Sequence, residues 1–158
     1  MRNENGRSLI EIIGILAIIG ILSIGGIVGY KIAVYRYQAS QLIDINNKYA
    51  FLLFEQCRSI YDRHQTSLAS IENCTKNTPG IPTFEKAGIG QMPYFIPNKS
   101  IDFRGITFDE STKKYIINTR IQLSSKEHCL AIKYIKNIKN GCRESVAPFN
   151  LVLQTTEN

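Results

Sequence analysis

Few residues of this 158-residue chain have the type and spacing to do chemistry, and the first is Glu11. It stands at the mouth of the apolar run Ile12–Tyr30, which carries no other charge before Lys31. A carboxylate at the edge of lipid is costly and usually marks a task. Glu11 can also be read plainly, as a helix N-terminal residue favoured by the dipole or as a hydrated residue at headgroup level.

The four cysteines, Cys57, Cys74, Cys129 and Cys142, all follow the run. An even number in a small polar body points to disulfides in an oxidising compartment, against four buried thiols. Four cysteines allow three connectivities. A zinc site from Cys57, His64 and Cys74 matches no established ligand spacing. The other histidine, His128, reads as a surface residue. No Ser/His/Asp order, phosphate-binding loop or carboxylate pair stands out, so no catalytic activity, metal or cofactor is expected.

There are 19 Lys and Arg against 13 Asp and Glu, a net charge of +6. Lys133, Lys136, Lys139 and Arg143 form the densest cluster. It reads as a solvated helix face; the alternative is a contact for an acidic partner such as DNA. No aromatic platform suited to base stacking accompanies it.

The elements that position these residues follow from periodicity. As a helix, Ile12–Tyr30 extends roughly 28 Å, close to the hydrocarbon thickness of a bilayer. So small a body cannot surround it, and it ends in Tyr30-Lys31 rather than in the small residues of a signal-peptide cleavage site. A retained membrane span is expected. Arg2 and Arg7 before it nearly balance Lys31 and Arg36 after it. The cysteines break the tie, placing the N-terminus in the cytoplasm and the body outside.

Beyond Lys31, Leu42, Ile45, Tyr49, Leu52, Leu53 and Ile60 recur at three- and four-residue steps, with Gln41, Asp44, Lys48 and Glu55 opposite. One helix is expected from about Ser8 to about Tyr61. Its length without an internal cap suggests packing along an assembly. Gly14, Gly20, Gly25, Gly26 and Gly29 suit close helix contacts, and Gly25-Gly26 is a point where the helix can bend. Residues 62–100 hold the Pro and Gly punctuation, including Asn77-Thr78-Pro79-Gly80, and read as loop with one short helical turn near Phe84 to Ala87. Gly105–Asp109 and Tyr115–Ile121 flank a polar turn and predict a hairpin. Ser124 and Glu127 read as the N-cap and N3 residues of a capping box. The helix it starts would put Ala131, Tyr134, Ile135 and Ile138 on one face and Lys133, Lys136 and Lys139 on the other, and Gly141 would end it. Phe149–Gln154 predicts a last strand.

Gly6, then Arg7-Ser8-Leu9-Ile10, then Glu11 and a long apolar helix resemble the prepilin signal of type IV pilins and pseudopilins. The motif and helix cover about the first fifth of the chain. The resemblance implies cleavage after Gly6 by a prepilin peptidase and methylation of the new N-terminus at Arg7 by a methyltransferase. The family usually has Phe or another apolar residue there. The resemblance makes Glu11 an assembly residue: the free α-amine of Arg7 on one subunit meets Glu11 of a neighbour. Such a contact joins two different surfaces and so generates an open helical filament.

The implied fold is α+β and type IV pilin-like. Residues 1–6 form the leader, 7–30 the membrane and assembly half of the helix, 31–61 its amphipathic half, and 62–158 a globular head. In that head the helix packs on a small antiparallel sheet with a short C-terminal-region helix. The family's C-terminal region is closed by a disulfide, here Cys129–Cys142. The favoured connectivity adds Cys57–Cys74, which would tie the helix end to the loop. The short helix carrying Cys129 looks most like the type IVb branch.

The implied role is a structural subunit of a pilus-like filament, in the bacterial inner membrane before assembly and in an extracellular or periplasmic fibre after it. Its partners would be copies of itself, sister pilins, the peptidase and an assembly ATPase with its platform protein. One alternative is a type II secretion pseudopilin or a minor pilin. An alternative of another class is an unprocessed membrane-anchored domain that binds DNA or another polyanion through its basic face.

Overall fold

The computed structural model describes residues 5–62, 68–136, 142 and 149–157. Helix α1 runs from Asn5 to Asp62 and is followed by a 3-10 helix at Leu68–Asn73. Strands β1 (Ile101–Asp109) and β2 (Lys114–Leu123) come next, then helix α2 (Lys126–Lys136) and strand β3 (Phe149–Glu157). The class is α+β: a long N-terminal helix, a three-stranded antiparallel sheet ordered β1-β2-β3, and a short helix. The chain divides into two compact units, Met1–Tyr35 and Arg36–Asn158.

In the second unit α1 is amphipathic, and the periodicity of its buried face explains why. Ala39, Leu42, Ile43, Asn46, Tyr49, Ala50, Leu53, Phe54 and Cys57 are all buried, each three or four residues from another. Opposite them, Gln41, Asp44, Lys48 and Glu55 are exposed as expected. The predicted stripe is off by a fraction of a turn. Ile45, Leu52 and Ile60 are only half-buried, and the fully buried residue at the centre is Asn46. The facing core comes from Ile101, Phe103, Ile106, Ile117, Ile121, Leu123 and Leu153 of the sheet, from Ile71 of the 3-10 helix and from Phe84, Phe95 and Ile96 of the loop after it.

The predicted hairpin is present and longer at both ends. Phe103 and Ile106 are both buried although three residues apart, because the register shifts between Phe103 and Gly105. Such a bulge places one extra residue on β1 and returns the next apolar side chain to the core. Gly105 sits at φ +132°, a conformation that suits glycine. At the turn, Asp109 accepts from the Ser111 N–H (3.0 Å), the Ser111 hydroxyl (2.6 Å) and the Thr112 hydroxyl (2.9 Å). These bonds, the Ser111 hydroxyl first, hold its carboxyl below the usual range. The edge of β1 is blunted by the 3-10 helix, where Glu72 accepts the Phe108 N–H at 2.6 Å.

The 3-10 helix at Leu68–Asn73 was not expected; residues 74–100 after it are loop, with a turn at 84–88. Tyr49 clamps this loop to α1. Its hydroxyl donates to the Pro82 carbonyl at 3.0 Å, and its ring meets Phe84 edge-on at 5.3 Å. Burial, and then the Asp102 carboxylate, push this hydroxyl up to about 12, so it remains a donor at neutral pH.

The capping of α2 differs from expectation. Ser125 is the N-cap: its carbonyl accepts the Cys129 N–H at 3.2 Å, and its hydroxyl donates to Glu127 Oε2 at 2.6 Å. That bond is the main reason the Glu127 carboxyl lies below its ordinary value. The Ser124 hydroxyl instead donates to the Phe95 carbonyl. His128, Cys129, Ala131 and Ile132 are buried, whereas Tyr134 and Ile135 are exposed. Ile138, Lys139 and Gly141 lie outside the described residues.

Candidate functional site

The first unit holds the candidate assembly surface. The backbone is helical through Gly6, Arg7, Gly25 and Gly26, and the side chain of Glu11 is exposed. The side chain of Arg7, and residues 1–4 of the expected leader, lie outside the description. From Leu9 to Ile32 every large apolar side chain is exposed, Ile12 at 54% and Ile21 at 72% among them. This helix is long and apolar enough to cross a membrane. A bare apolar stretch of this size is stable in lipid or against other apolar helices, not in water.

Outside their own helix backbone, the five glycines of this half meet nothing among the described residues. A Cβ added to Gly14, Gly20, Gly25, Gly26 or Gly29 would meet nothing within 4 Å. The hydroxyl of Ser23, within the run, donates back to the Ile19 carbonyl at 2.7 Å and so is satisfied within its own helix.

In the second unit two cystines fix the ends of elements. Cys57, near the end of α1, is joined to Cys74 just after the 3-10 helix, with Cα atoms 6.0 Å apart. Cys129 of α2 is joined to Cys142, at 5.7 Å. Loops of this size stabilise a fold by roughly 3 kcal/mol each in the chain-entropy account. The first cystine also consumes two of the three groups of the imagined zinc site, whose third, His64, lies outside the described residues. Among the described residues no cluster of three metal-ligating side chains occurs.

His128 corrects the sequence reading. It is 4% exposed, not a surface residue. Its ring stacks on Phe95, with centroids 3.9 Å apart and planes 9° apart, and its Nε2 donates to Gln38 Oε1 at 2.7 Å. Gln38 Nε2 in turn donates to the Tyr94 hydroxyl at 3.2 Å. One imidazole thus ties α2 to the loop and to α1. No signal in the local sequence marks this, because its partners are about 30 and 90 residues away.

Burial pushes the His128 imidazole below its ordinary value, partly opposed by Glu127. The unfolded chain therefore binds the proton more readily than the folded one. Stability is full above about pH 6.5 and falls as the pH drops from there towards the folded value, by up to about 1.4 kcal/mol per pH unit. Urea unfolding at pH 7.5 and 5.5 is expected to show this loss in the wild type and a smaller loss in His128→Asn.

The basic cluster is only partly seen. Lys133 and Lys136 are half-buried on α2, while Lys139 and Arg143 lie outside the described residues. Compared with known proteins, the chain matches no family model, no curated sequence and no solved structure.

Proposed function

We propose that the chain is a type IV pilin-like structural subunit, cut after Gly6 and polymerised through the N-terminal half of α1. What carries this is one conjunction. A Gly-to-Glu motif, Gly6 to Glu11, opens a helix whose large apolar side chains from Leu9 to Ile32 are all exposed and whose glycines there meet nothing else among the described residues. A surface of that kind needs a partner, and a stack of identical helices provides one of the same composition. Glycines then let backbones approach closely, and the pairing of Glu11 with a neighbour's Arg7 α-amine sets the register.

The head suits that role. Cys57–Cys74 and Cys129–Cys142 brace its loops, and a fibre exposed outside the cell gains from such bracing. Before assembly the subunit sits in the bacterial inner membrane with its N-terminus in the cytoplasm. Its partners are copies of itself or sister pilins, a prepilin peptidase, and an assembly platform with its ATPase. It carries no catalytic role.

The test is expression of the full chain in a host with a complete pilus assembly system and its own major pilin deleted. Sheared filaments containing this chain are expected by electron microscopy. Their absence, with the system shown to assemble its own pilin, would count against a filament subunit.

A further inference from the structure

We propose that a cleft in the head, lined by residues 83–85, 90–92 and 98–100, binds a short uncapped peptide, its α-ammonium against Glu85 and its α-carboxylate against Lys99. The cleft lies wholly within the second unit, and the proposal stands apart from filament formation. Its volume, about 760 Å³, is within the range of small-ligand sites.

The lining is anchored to the core. A turn closes over residues 83–87, where the Ala87 N–H donates to the Thr83 carbonyl at 3.0 Å. The Phe84 ring of that turn is buried and meets Tyr49 edge-on at 5.3 Å. A second turn closes over residues 96–99, where the Lys99 N–H donates to the Ile96 carbonyl at 3.2 Å. Ile96 is buried, and the Asn98 amide donates to the Gln122 side chain of β2. A hollow held in this way is formed before any ligand arrives, so binding has little ordering to offset.

Lys99 points to a ligand. Its φ is +44°, a conformation that glycine or asparagine takes far more readily than lysine. Lys113, also at positive φ, lies in the hairpin turn, and Cys142 lies in a cystine. Lys99 lines the cleft. Backbone strain of this kind is kept where a side chain has to be presented.

The charges define the ligand. Glu85 and Lys99 both line the cleft, and neither has an ion-pair partner among the described residues, whereas Asp44, Asp102 and Glu110 each have one. An anion alone would face the Glu85 carboxylate, and a cation alone the Lys99 ammonium. A neutral sugar would use neither charge. A zwitterion uses both. Because Glu85 and Lys99 make no ion pair with each other, their charged ends are apart, and the ligand has to carry its own charges apart. A peptide does so; a single amino acid, with both charges on one carbon, does not. The Gln91 and Asn98 amides and the Thr83 and Ser100 hydroxyls of the lining are donors and acceptors suited to peptide groups.

Calorimetric titration of the full chain in detergent with trialanine tests this, beside N-acetylated and C-amidated trialanine. Saturable binding of the free peptide is expected. Either cap should weaken it by about tenfold or more, since each removes a charge-assisted hydrogen bond. Lys99→Gly takes the same backbone conformation without strain and lacks the ammonium. It should bind free trialanine as weakly as the wild type binds the C-amidated form, and unfold at no lower urea concentration than the wild type. Glu85→Gln should match the N-acetylated form in the same way, again with the unfolding midpoint kept.

No saturable binding of trialanine up to roughly 10 mM, or equal binding of the free and capped peptides, would overturn the proposal. So would wild-type affinity in either variant, or a loss of binding accompanied by a fall in the unfolding midpoint.

Discussion

Glu11→Gln is expected to lower the assembled fraction of this protein by more than about tenfold, a change worth at least about 1.4 kcal/mol per contact. The substitution keeps the size of the side chain and its hydrogen-bonding capacity but removes its charge. In lipid, an unpaired carboxylate is held at a cost, and an incoming ammonium removes much of it. In the proposed filament the incoming subunit would thereby be drawn to one height, where its Arg7 α-amine would meet Glu11. Gln at this position carries no such cost and so gives no such preference. The effect should be confined to assembly. Glu11 lies in the first unit, and the core of the head is built from Ala39 onward, so the unfolding curve of the head should not move. Sheared filaments and urea unfolding, measured on the same variant, check both halves. Filaments at wild-type level would remove Glu11 from the assembly contact.

Asn46→Asp is expected to cost the head about 3 kcal/mol or more at pH 7, a large share of the stability of a domain this size. Asn46 is completely buried. Its Oδ1 accepts the Thr119 hydroxyl at 2.6 Å, and its Nδ2 lies 3.4 Å from Thr155 Oγ1. The Thr155 hydroxyl donates to Asn47 at 3.1 Å. An aspartate keeps the first bond but turns a second oxygen towards a hydroxyl whose proton is already committed. A charge is then buried without a cation.

The sign of the pH dependence identifies the cause. Burial raises the carboxyl of such an aspartate above its ordinary value of about 3.9. The folded variant then binds the proton more readily than the unfolded chain, so its deficit should shrink as the pH falls from 7 towards 4. Asn46→Leu should lose less, about 1–3 kcal/mol, with no such recovery. In that variant the Thr119 hydroxyl can turn to the Leu153 carbonyl, already 3.3 Å away, and Thr155 keeps Asn47. Urea unfolding of the full chain in detergent at several pH values measures all three proteins. A pH-independent deficit in Asn46→Asp would mean that the carboxylate finds solvent or a cation.

Asn46 also shows where local pattern stops being informative. The run of three- and four-residue steps located the amphipathic half of α1 and its polar face, because both are properties of the helix alone. The phase of the buried face was not legible. Ile45 and Leu52 are apolar and border the stripe, whereas Asn46 is buried because of Thr119, 73 residues away. His128 follows the same logic through Gln38 and Phe95. In α2, capped by Ser125 and not Ser124, the inward face is His128, Cys129, Ala131 and Ile132, and Tyr134 lies outside. The hairpin was legible from alternation and a polar turn, but the bulge that puts both Phe103 and Ile106 in the core was not, since Gly105 in a strand can mean several things. The candidate assembly site is the opposite case. Gly6, Glu11 and the apolar run are contiguous in sequence, so their pattern needs no tertiary partner to be read.

The most direct measurement is the intact mass of the full chain co-expressed with an active prepilin peptidase, beside Gly6→Ala. Loss of residues 1–6 from the wild type and not from the variant is expected, and an added methyl group would show that Arg7 is accepted as the new N-terminus. Full-length mass in both, while the peptidase cuts another substrate in the same cells, would contradict a processed pilin-like subunit and leave a membrane-anchored domain.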